Sequence, residues 1–108
     1  HVEIIESVAV GQKWKDDIRI VLFVKLAPGF ELDEGLIDDV KKSIRRDTSV
    51  RHVPAKILEV SDIPRTKSGK IVELTIRDII NGEKPKNLNA IDNFECLVEY
   101  QNRSELTD

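Results

Sequence analysis

The strongest strand signal in the chain is the stretch Ile18-Arg19-Ile20-Val21-Leu22-Phe23-Val24-Lys25-Leu26. It is rich in β-branched and aromatic residues, and its middle is a nearly continuous apolar run. That pattern is typical of a central β-strand covered on both faces. Pro28 and Gly29 end it, and a shorter apolar stretch at residues 7–10 precedes it. With residues 11–17 as a polar connection, the two strands are predicted to pair antiparallel, as a hairpin with a longer loop.

Downstream of this strand the sequence predicts a helix that begins beside Asp33. This aspartate is an N-cap candidate, and apolar residues recur after it at helical spacing as far as Arg45 and Arg46. Acid at the start and base at the end both suit the helix dipole. The helix should stop by residues 48–49, because residues 51–54 end in a proline, which disfavours helix in the residue before it.

A third strand at residues 55–60 and a final helix at residues 72–81, ended by Gly82, complete the predicted fold. The expected fold class is α/β (α+β): a small three-stranded mixed sheet covered by helices. The order is strand-strand-helix-strand-helix plus a C-terminal extension. Residues 1–82 are expected to form one domain whose start is truncated. Residues 83–108 are expected to form an extension that is partly helical, at residues 91–98, and then frayed.

The charge of the chain is unevenly distributed. The formal net charge is −3, yet the segment from Lys41 to Lys70 holds nine basic and three acidic residues, a local balance of +6. A basic segment in an acidic protein favours a small polyanionic ligand over nucleic acid, which calls for a broader positive surface. The alternative interpretation is a solvated helix end followed by a surface loop.

The cysteine content and the hydropathy of the sequence predict the cellular compartment of the protein. The single cysteine, Cys96, excludes an internal disulfide and any cysteine-based zinc site, which favours a reducing compartment. No apolar run approaches the ~18 residues of a membrane span, and no signal peptide is evident. We therefore expect a cytoplasmic protein without a membrane partner.

The most distinctive motif is the heptad Pro64-Arg65-Thr66-Lys67-Ser68-Gly69-Lys70, which combines positive charges, two hydroxyls and a glycine. It is not a P-loop, because Pro64 stands where a glycine is needed and Ile71 where a serine or threonine is needed. A short Ser-Gly-Lys alone would more simply be a solvated basic turn. The full heptad, between a strand and a helix, indicates an anion-handling loop.

This heptad resembles the signature P-[KR]-T-x-S-G-K in the C-terminal domain of the adenylate-forming enzymes, among them acyl-CoA and aryl-CoA ligases. The similarity extends over nearly the whole chain, including residues 51–54 and 62–63 upstream of the heptad. Residues 71–74 and 76–82, with the extension as far as residue 90, resemble acetoacetyl-CoA synthetases. Acetyl-CoA and propionyl-CoA synthetases usually carry a pair of arginines shortly after the lysine.

The resemblance implies an acid–CoA ligase that converts an acid, ATP and CoA into acyl-CoA, AMP and diphosphate, with acetoacetate as the acid. In such an enzyme Lys70 stabilises the adenylation transition state, because a cation offsets the negative charge that builds on the α-phosphate. Thr66, Ser68 and Gly69 support the loop, and the glycine permits the turn that delivers the lysine. The resemblance to acetyl-CoA synthetases also implies that Arg45, on the helix before the third strand, contacts the nucleotide of coenzyme A. The alternative role for Arg45 is a helix-end charge.

The resemblance also implies that a larger N-terminal domain of the same protein is the partner of this chain. That domain would bind most of the ATP, coenzyme A and Mg²⁺, so no metal site is expected here and the isolated chain is expected to be inactive. Small molecules, and not nucleic acid or membrane, are the expected ligands. Two alternatives remain open: an acetyl- or propionyl-CoA synthetase-like ligase, and a non-catalytic nucleotide- or partner-binding module of the same fold.

Overall fold

The computed structural model describes residues 3–47, 53–86 and 88–107. In chain order the elements are β1 (Ile4–Trp14), β2 (Asp17–Leu26), α1 (Glu34–Asp47), β3 (Lys56–Glu59) and α2 (Glu73–Ile80). Short 3₁₀ helices follow at Leu88–Ala90, Phe94–Tyr100 and Ser104–Thr107. The predicted segment at residues 48–52 lies outside the described residues.

The sheet has the order β1-β2-β3, with β2 in the centre. β1 pairs antiparallel with β2, whereas β3 pairs parallel with β2. The prediction of a three-stranded mixed sheet with helices is therefore confirmed.

Alternation along β2 divides the core between the two faces of the sheet. Val21 and Phe23 point to one face, where α2 and the C-terminal extension cover them. Leu22 and Val24 point to the other face, which α1 covers. Because both faces of β2 are covered, its apolar residues run almost without interruption, as the sequence predicted.

The connection between β1 and β2 differs from the prediction. Residues 11–14 belong to β1, and Trp14 pairs with Asp17, so the predicted polar loop is a tight turn of Lys15 and Asp16. Both turn residues have positive φ, 48° and 63°, which matches the twist of a two-residue hairpin. Asp16 is a residue that tolerates positive φ, but Lys15 is not, so the sequence carried only a weak turn signal. The Arg19 guanidinium lies 3.8 Å from the centre of the Trp14 ring.

Both predicted helix-terminal residues are confirmed. The Asp33 carboxylate accepts a hydrogen bond from the Leu36 N–H at 2.8 Å, which caps the start of α1. Gly82 adopts a φ of 75° after α2. Its N–H donates to the Ile79 carbonyl and the Glu83 N–H donates to the Asp78 carbonyl, which is the hydrogen-bond pattern of a Schellman motif.

The prediction of a frayed tail after residue 100 is wrong. Ser104–Thr107 forms a 3₁₀ helix, and the Leu106 side chain is buried in the core on the Phe23 face. The Gln12 amide donates to the Leu106 carbonyl at 2.9 Å. The tail is polar apart from this leucine, so its composition predicted a solvent-exposed segment. In the structure the leucine side chain packs over the sheet and holds the tail there.

The predicted helix at residues 91–98 is replaced by the 3₁₀ helix Phe94–Tyr100, which buries Cys96, Leu97 and Tyr100. The Tyr100 ring meets the Phe23 ring edge to face, with 4.7 Å between ring centres. The extension therefore packs on the same core as the preceding elements. The proposed domain division at residue 82 stays a prediction.

We expect Leu106→Ala to lower the free energy of unfolding by about 2 to 5 kcal/mol, because it removes a buried side chain and leaves a cavity. Val98→Ala is the matched control, since Val98 lies in the same extension and is 67% exposed. Urea unfolding of both variants measures the difference. Equal stabilities for the two variants would mean that the tail does not pack as the structure shows.

Candidate active-site loop

The heptad forms a short β-hairpin that leaves the core after Pro64. Arg65 and Ile71 form an antiparallel bridge, and the Thr66 N–H donates to the Lys70 carbonyl at 2.8 Å. The Gly69 N–H donates to the Thr66 carbonyl at 2.9 Å, and Gly69 has a φ of 92°. A three-residue hairpin loop needs such a residue at its last position, which is why a glycine stands there.

Hydroxyl groups stabilise the hairpin from within. The Thr66 and Ser68 hydroxyls are hydrogen-bonded at 2.9 Å, and the Lys70 N–H donates to the Thr66 hydroxyl at 3.2 Å. The structure thus brings together Thr66, Ser68, Gly69 and Lys70, the residues that the sequence grouped. Their roles in a reaction stay predictions.

The two kinds of cation in the heptad are placed differently. The Arg65 guanidinium forms an ion pair with Glu6 and donates to the Ile63 carbonyl at 3.2 Å, so it ties the hairpin to β1. Lys67 and Lys70 are exposed. Among the residues that the structure describes, no ion pair or side-chain hydrogen bond engages the Lys70 ammonium, and Lys70 is exposed.

The base of the hairpin is organised by Asp62, a residue that the sequence analysis did not single out. Its Oδ1 accepts hydrogen bonds from the Ile63 N–H at 2.9 Å, Lys25 Nζ at 3.3 Å and Arg65 Nη1 at 3.4 Å. Its Oδ2 accepts from the Asn93 amide at 2.8 Å. Burial alone would raise the pKa of Asp62, but the hydrogen bonds from Asn93 and Ile63 and the nearby Lys25 outweigh it and lower the pKa.

Tyr100 holds the same segment from the core side. Its hydroxyl donates to the Asp62 carbonyl at 2.7 Å. Burial, with smaller contributions from Cys96 and Glu99, raises the pKa of Tyr100 far above its usual value, so the hydroxyl remains a donor. Proximity of Asp62 to the motif could have suggested a role for it, whereas nothing local marked Tyr100 or Asn93.

Cys96 lies beside this network as a buried, free thiol. Burial first, and then the charges of Asp62 and Glu99, raise the pKa of its thiol to about 11. A thiol with that pKa is protonated at neutral pH and unreactive.

Arg45 is not brought to the hairpin by this chain. It is exposed in the last turn of α1, which covers the opposite face of the sheet from α2 and the extension. Its predicted contact with coenzyme A stays a prediction. Within residues 3–47, 53–86 and 88–107 no three acidic, histidine or cysteine side chains converge on a metal position, and no helix is long and apolar enough to span a bilayer.

The sequence of the chain is similar to those of several known proteins. No family model matches the chain. The acetoacetyl-coenzyme A synthetase of Rhizobium meliloti (strain 1021) is 53% identical over 104 residues, which are 96% of this chain and 16% of that protein. The acetoacetyl-CoA synthetase of Xenopus tropicalis is 43% identical over 106 residues, 97% of this chain and 16% of that protein. The chain therefore spans about one sixth of the length of these relatives.

Solved structures show the same relationship. The acetoacetyl-CoA synthetase from Streptomyces lividans matches with a TM-score of 0.83 and 38% identity, over 94% of this chain and 16% of that chain. The Brucella canis acyl-CoA synthetase matches with a TM-score of 0.64 and 30% identity over 72% of this chain and 15% of that chain. A benzoate CoA ligase from Burkholderia xenovorans LB400 matches with a TM-score of 0.65 and 27% identity over 71% of this chain and 16% of that chain.

The mixed sheet and the hairpin that carries Lys70 thus define a domain of the acyl-CoA synthetase class. More narrowly, the chain belongs with the acetoacetyl-CoA synthetases, as a segment of about 16% of their length.

We expect Asp62→Asn to destabilise the chain at pH 7, because an amide at this position turns one N–H donor towards another, whichever way it is oriented. The partly exposed position limits the cost to about 1 kcal/mol. Because the folded pKa of Asp62 is lowered, its stabilisation is present above the unfolded pKa and is lost as the pH falls through the folded pKa.

The difference between the original chain and Asp62→Asn should therefore shrink between pH 7 and pH 3. Urea unfolding at the two pH values measures it. Asp38→Asn, at an exposed position on α1, is the control for loss of a carboxylate in general. A difference that grows on acidification would contradict the assignment of Asp62 as a stabilising carboxylate.

Proposed function

We propose that this chain is the C-terminal lid of an ATP-dependent acid–CoA ligase of the AMP-forming type, and that the acid is acetoacetate. The observation that carries the proposal is the Lys70 ammonium, exposed at the end of a hairpin whose backbone is held by Thr66, Gly69 and Asp62. The sequence relationship to acetoacetyl-CoA synthetases supports the choice of acid.

The chemistry explains why a lysine suits this position. In the first half-reaction a carboxylate oxygen of the acid attacks the α-phosphorus of ATP, the acyl–phosphate bond forms, and diphosphate leaves. Two anions approach each other, and charge builds on the α-phosphate oxygens. An ammonium on a long stem can contact a carboxylate oxygen and a phosphate oxygen together, so it stabilises the transition state more than the separate substrates.

The hairpin supplies the lysine to a site formed by another part of the protein. We infer that a larger N-terminal domain binds ATP, the acid and Mg²⁺, and that the hairpin closes over the α-phosphate. The size of the relatives, of which this chain spans about one sixth, supports such a domain. Mg²⁺ would offset charge on the phosphates there.

A cytoplasmic location is likewise a proposal, supported by the single, buried and unpaired Cys96.

Coenzyme A would enter in the second half-reaction, in which its thiol attacks the acyl-adenylate and AMP leaves. We propose that Arg45 contacts the nucleotide part of coenzyme A in that step. Its position on an exposed helix end, away from the hairpin, supports a role separate from that of Lys70. A guanidinium can donate two parallel hydrogen bonds to a phosphate.

In the full-length enzyme, Lys70→Ala should slow adenylate formation by at least ~10² to 10³-fold, as when one preorganised charge-stabilising group is lost. Conversion of supplied acetoacetyl-adenylate and coenzyme A into thioester should be nearly unchanged. Pyrophosphate exchange and single-turnover thioester formation measure the two steps. Lys67→Ala is the matched control, because Lys67 is also exposed in the same hairpin.

Equal losses in both half-reactions for a folded Lys70→Ala enzyme would assign the lysine a structural role. Unchanged activity would support the alternative of a module that does not take part in catalysis. Activity with acetate or propionate in place of acetoacetate would correct the acid but not the role of the lysine.

Arg45→Ala in the full-length enzyme should raise the KM for coenzyme A and leave pyrophosphate exchange intact. Loss of a charged hydrogen bond typically costs about 1.5 to 3 kcal/mol, which corresponds to roughly 10- to 150-fold. Lys42→Ala, another exposed cation on α1, is the control. An unchanged KM would show that Arg45 acts only as a helix-end charge.

A further inference from the structure

The C-terminal extension contacts the hairpin at its base, and this contact has no counterpart in the sequence signature. Thr66 forms an antiparallel bridge with Ile91, and the Asp92 N–H donates to the Arg65 carbonyl at 2.8 Å. Backbone hydrogen bonds therefore join the hairpin to the segment that follows α2. Its orientation depends on where the extension lies.

Asn93 makes the most extensive of these contacts. Its amide nitrogen donates to Asp62 Oδ2 at 2.8 Å and to the Ile63 carbonyl at 2.9 Å. Its amide oxygen accepts the Arg65 N–H at 2.8 Å. One side chain thus holds the residues on both sides of Pro64, which is buried and has no N–H of its own to donate.

These bonds act on the segment from which the hairpin leaves the core. The next residue is Thr66, which bridges to Ile91 and whose N–H donates to the Lys70 carbonyl. Lys70 itself is exposed and follows a glycine of positive φ, so its own side chain contributes no restraint. The direction of the hairpin, and with it the position of the ammonium, is set at its base.

From this geometry we propose that Asn93 is a positioning residue for Lys70: it fixes the angle at which the hairpin leaves the core and so places the ammonium for the adenylation step. The inference rests on the proposed function of Lys70. Asn93 does not touch a reacting atom and acts only through the hairpin.

The expected size of the effect follows from the sensitivity of catalysis to position. A displacement of about 1 Å at the reacting groups, caused by a change elsewhere, can cost ~10²-fold in rate. Loss of the Asn93 amide removes three hydrogen bonds at the hairpin base but leaves the backbone bonds of the hairpin itself in place. The ammonium would remain present but be less well placed.

The test uses the full-length enzyme and separates the half-reactions. Asn93→Ala should slow adenylate formation about 10- to 100-fold, measured by pyrophosphate exchange. Thioester formation from supplied acetoacetyl-adenylate and coenzyme A should change less than about twofold, because Lys70 has no part in that step. Asn89→Ala, an exposed asparagine in the same extension, should change neither rate.

A second pair of variants examines the same contact by exchanging charge and amide. Asn93→Asp keeps the acceptor for the Arg65 N–H but sets a carboxylate against Asp62, so adenylate formation should again slow selectively. Adding Asp62→Asn restores one amide–carboxylate pair between these positions and should recover part of that rate. The recovery, read as a double-mutant cycle, measures the coupling between the two side chains.

Equal losses in both half-reactions, or no loss of adenylate formation in folded Asn93 variants, would overturn the positioning role. If Asn93→Ala does not fold, the same two outcomes measured with Asn93→Asp would overturn the positioning role. Lys70→Ala separates this outcome from failure of the proposed function. If Lys70→Ala slows adenylate formation and the Asn93 variants do not, only the positioning role fails. If Lys70→Ala has no effect either, the function proposed for the hairpin fails.

Discussion

Burial of β2 on both faces is the constraint on which the other elements depend. Val21, Phe23 and Val24 have no exposed surface, and adjacent residues of the strand point to opposite sides of the sheet. Each fully buried side chain of this kind contributes about 1.5 to 3 kcal/mol, but only if a second layer covers it. One layer is α1, and the other combines α2 with the C-terminal extension.

The same burial positions the hairpin. Tyr100 packs against Phe23 in the core on that face, and its hydroxyl donates to the carbonyl of Asp62. Asn93 belongs to the same extension, and its amide donates to the side-chain carboxylate of Asp62. The packing of the extension therefore completes the core and restrains the loop at the same time. The extension is the element that links them.

Charge within the loop is divided according to the chemistry of each cation. Arg65 has a rigid guanidinium that suits fixed contacts, and it pairs with Glu6 and Asp62 at the hairpin base. Lys70 has a flexible stem, and within the described part of the chain its ammonium has no fixed contact. The basic cluster of the sequence is thus divided in space: Arg65 is held by ion pairs at the hairpin base, whereas Lys70 is exposed.

Local chemistry in the sequence was sufficient for the central strand, both longer helices with their Asp33 and Gly82 termini, and the turn at Gly69 that precedes Lys70. Those features follow from periodicity, capping and turn preferences, which act between residues near each other in the chain. Tertiary structure alone decided the tight Lys15–Asp16 turn, the burial of Leu106 and the contacts of Asn93. Asn93 lies 28 to 31 residues from Arg65, Ile63 and Asp62. Contacts over such separations depend on how the layers pack, and a polar residue in a polar extension carries no local sign of its partners.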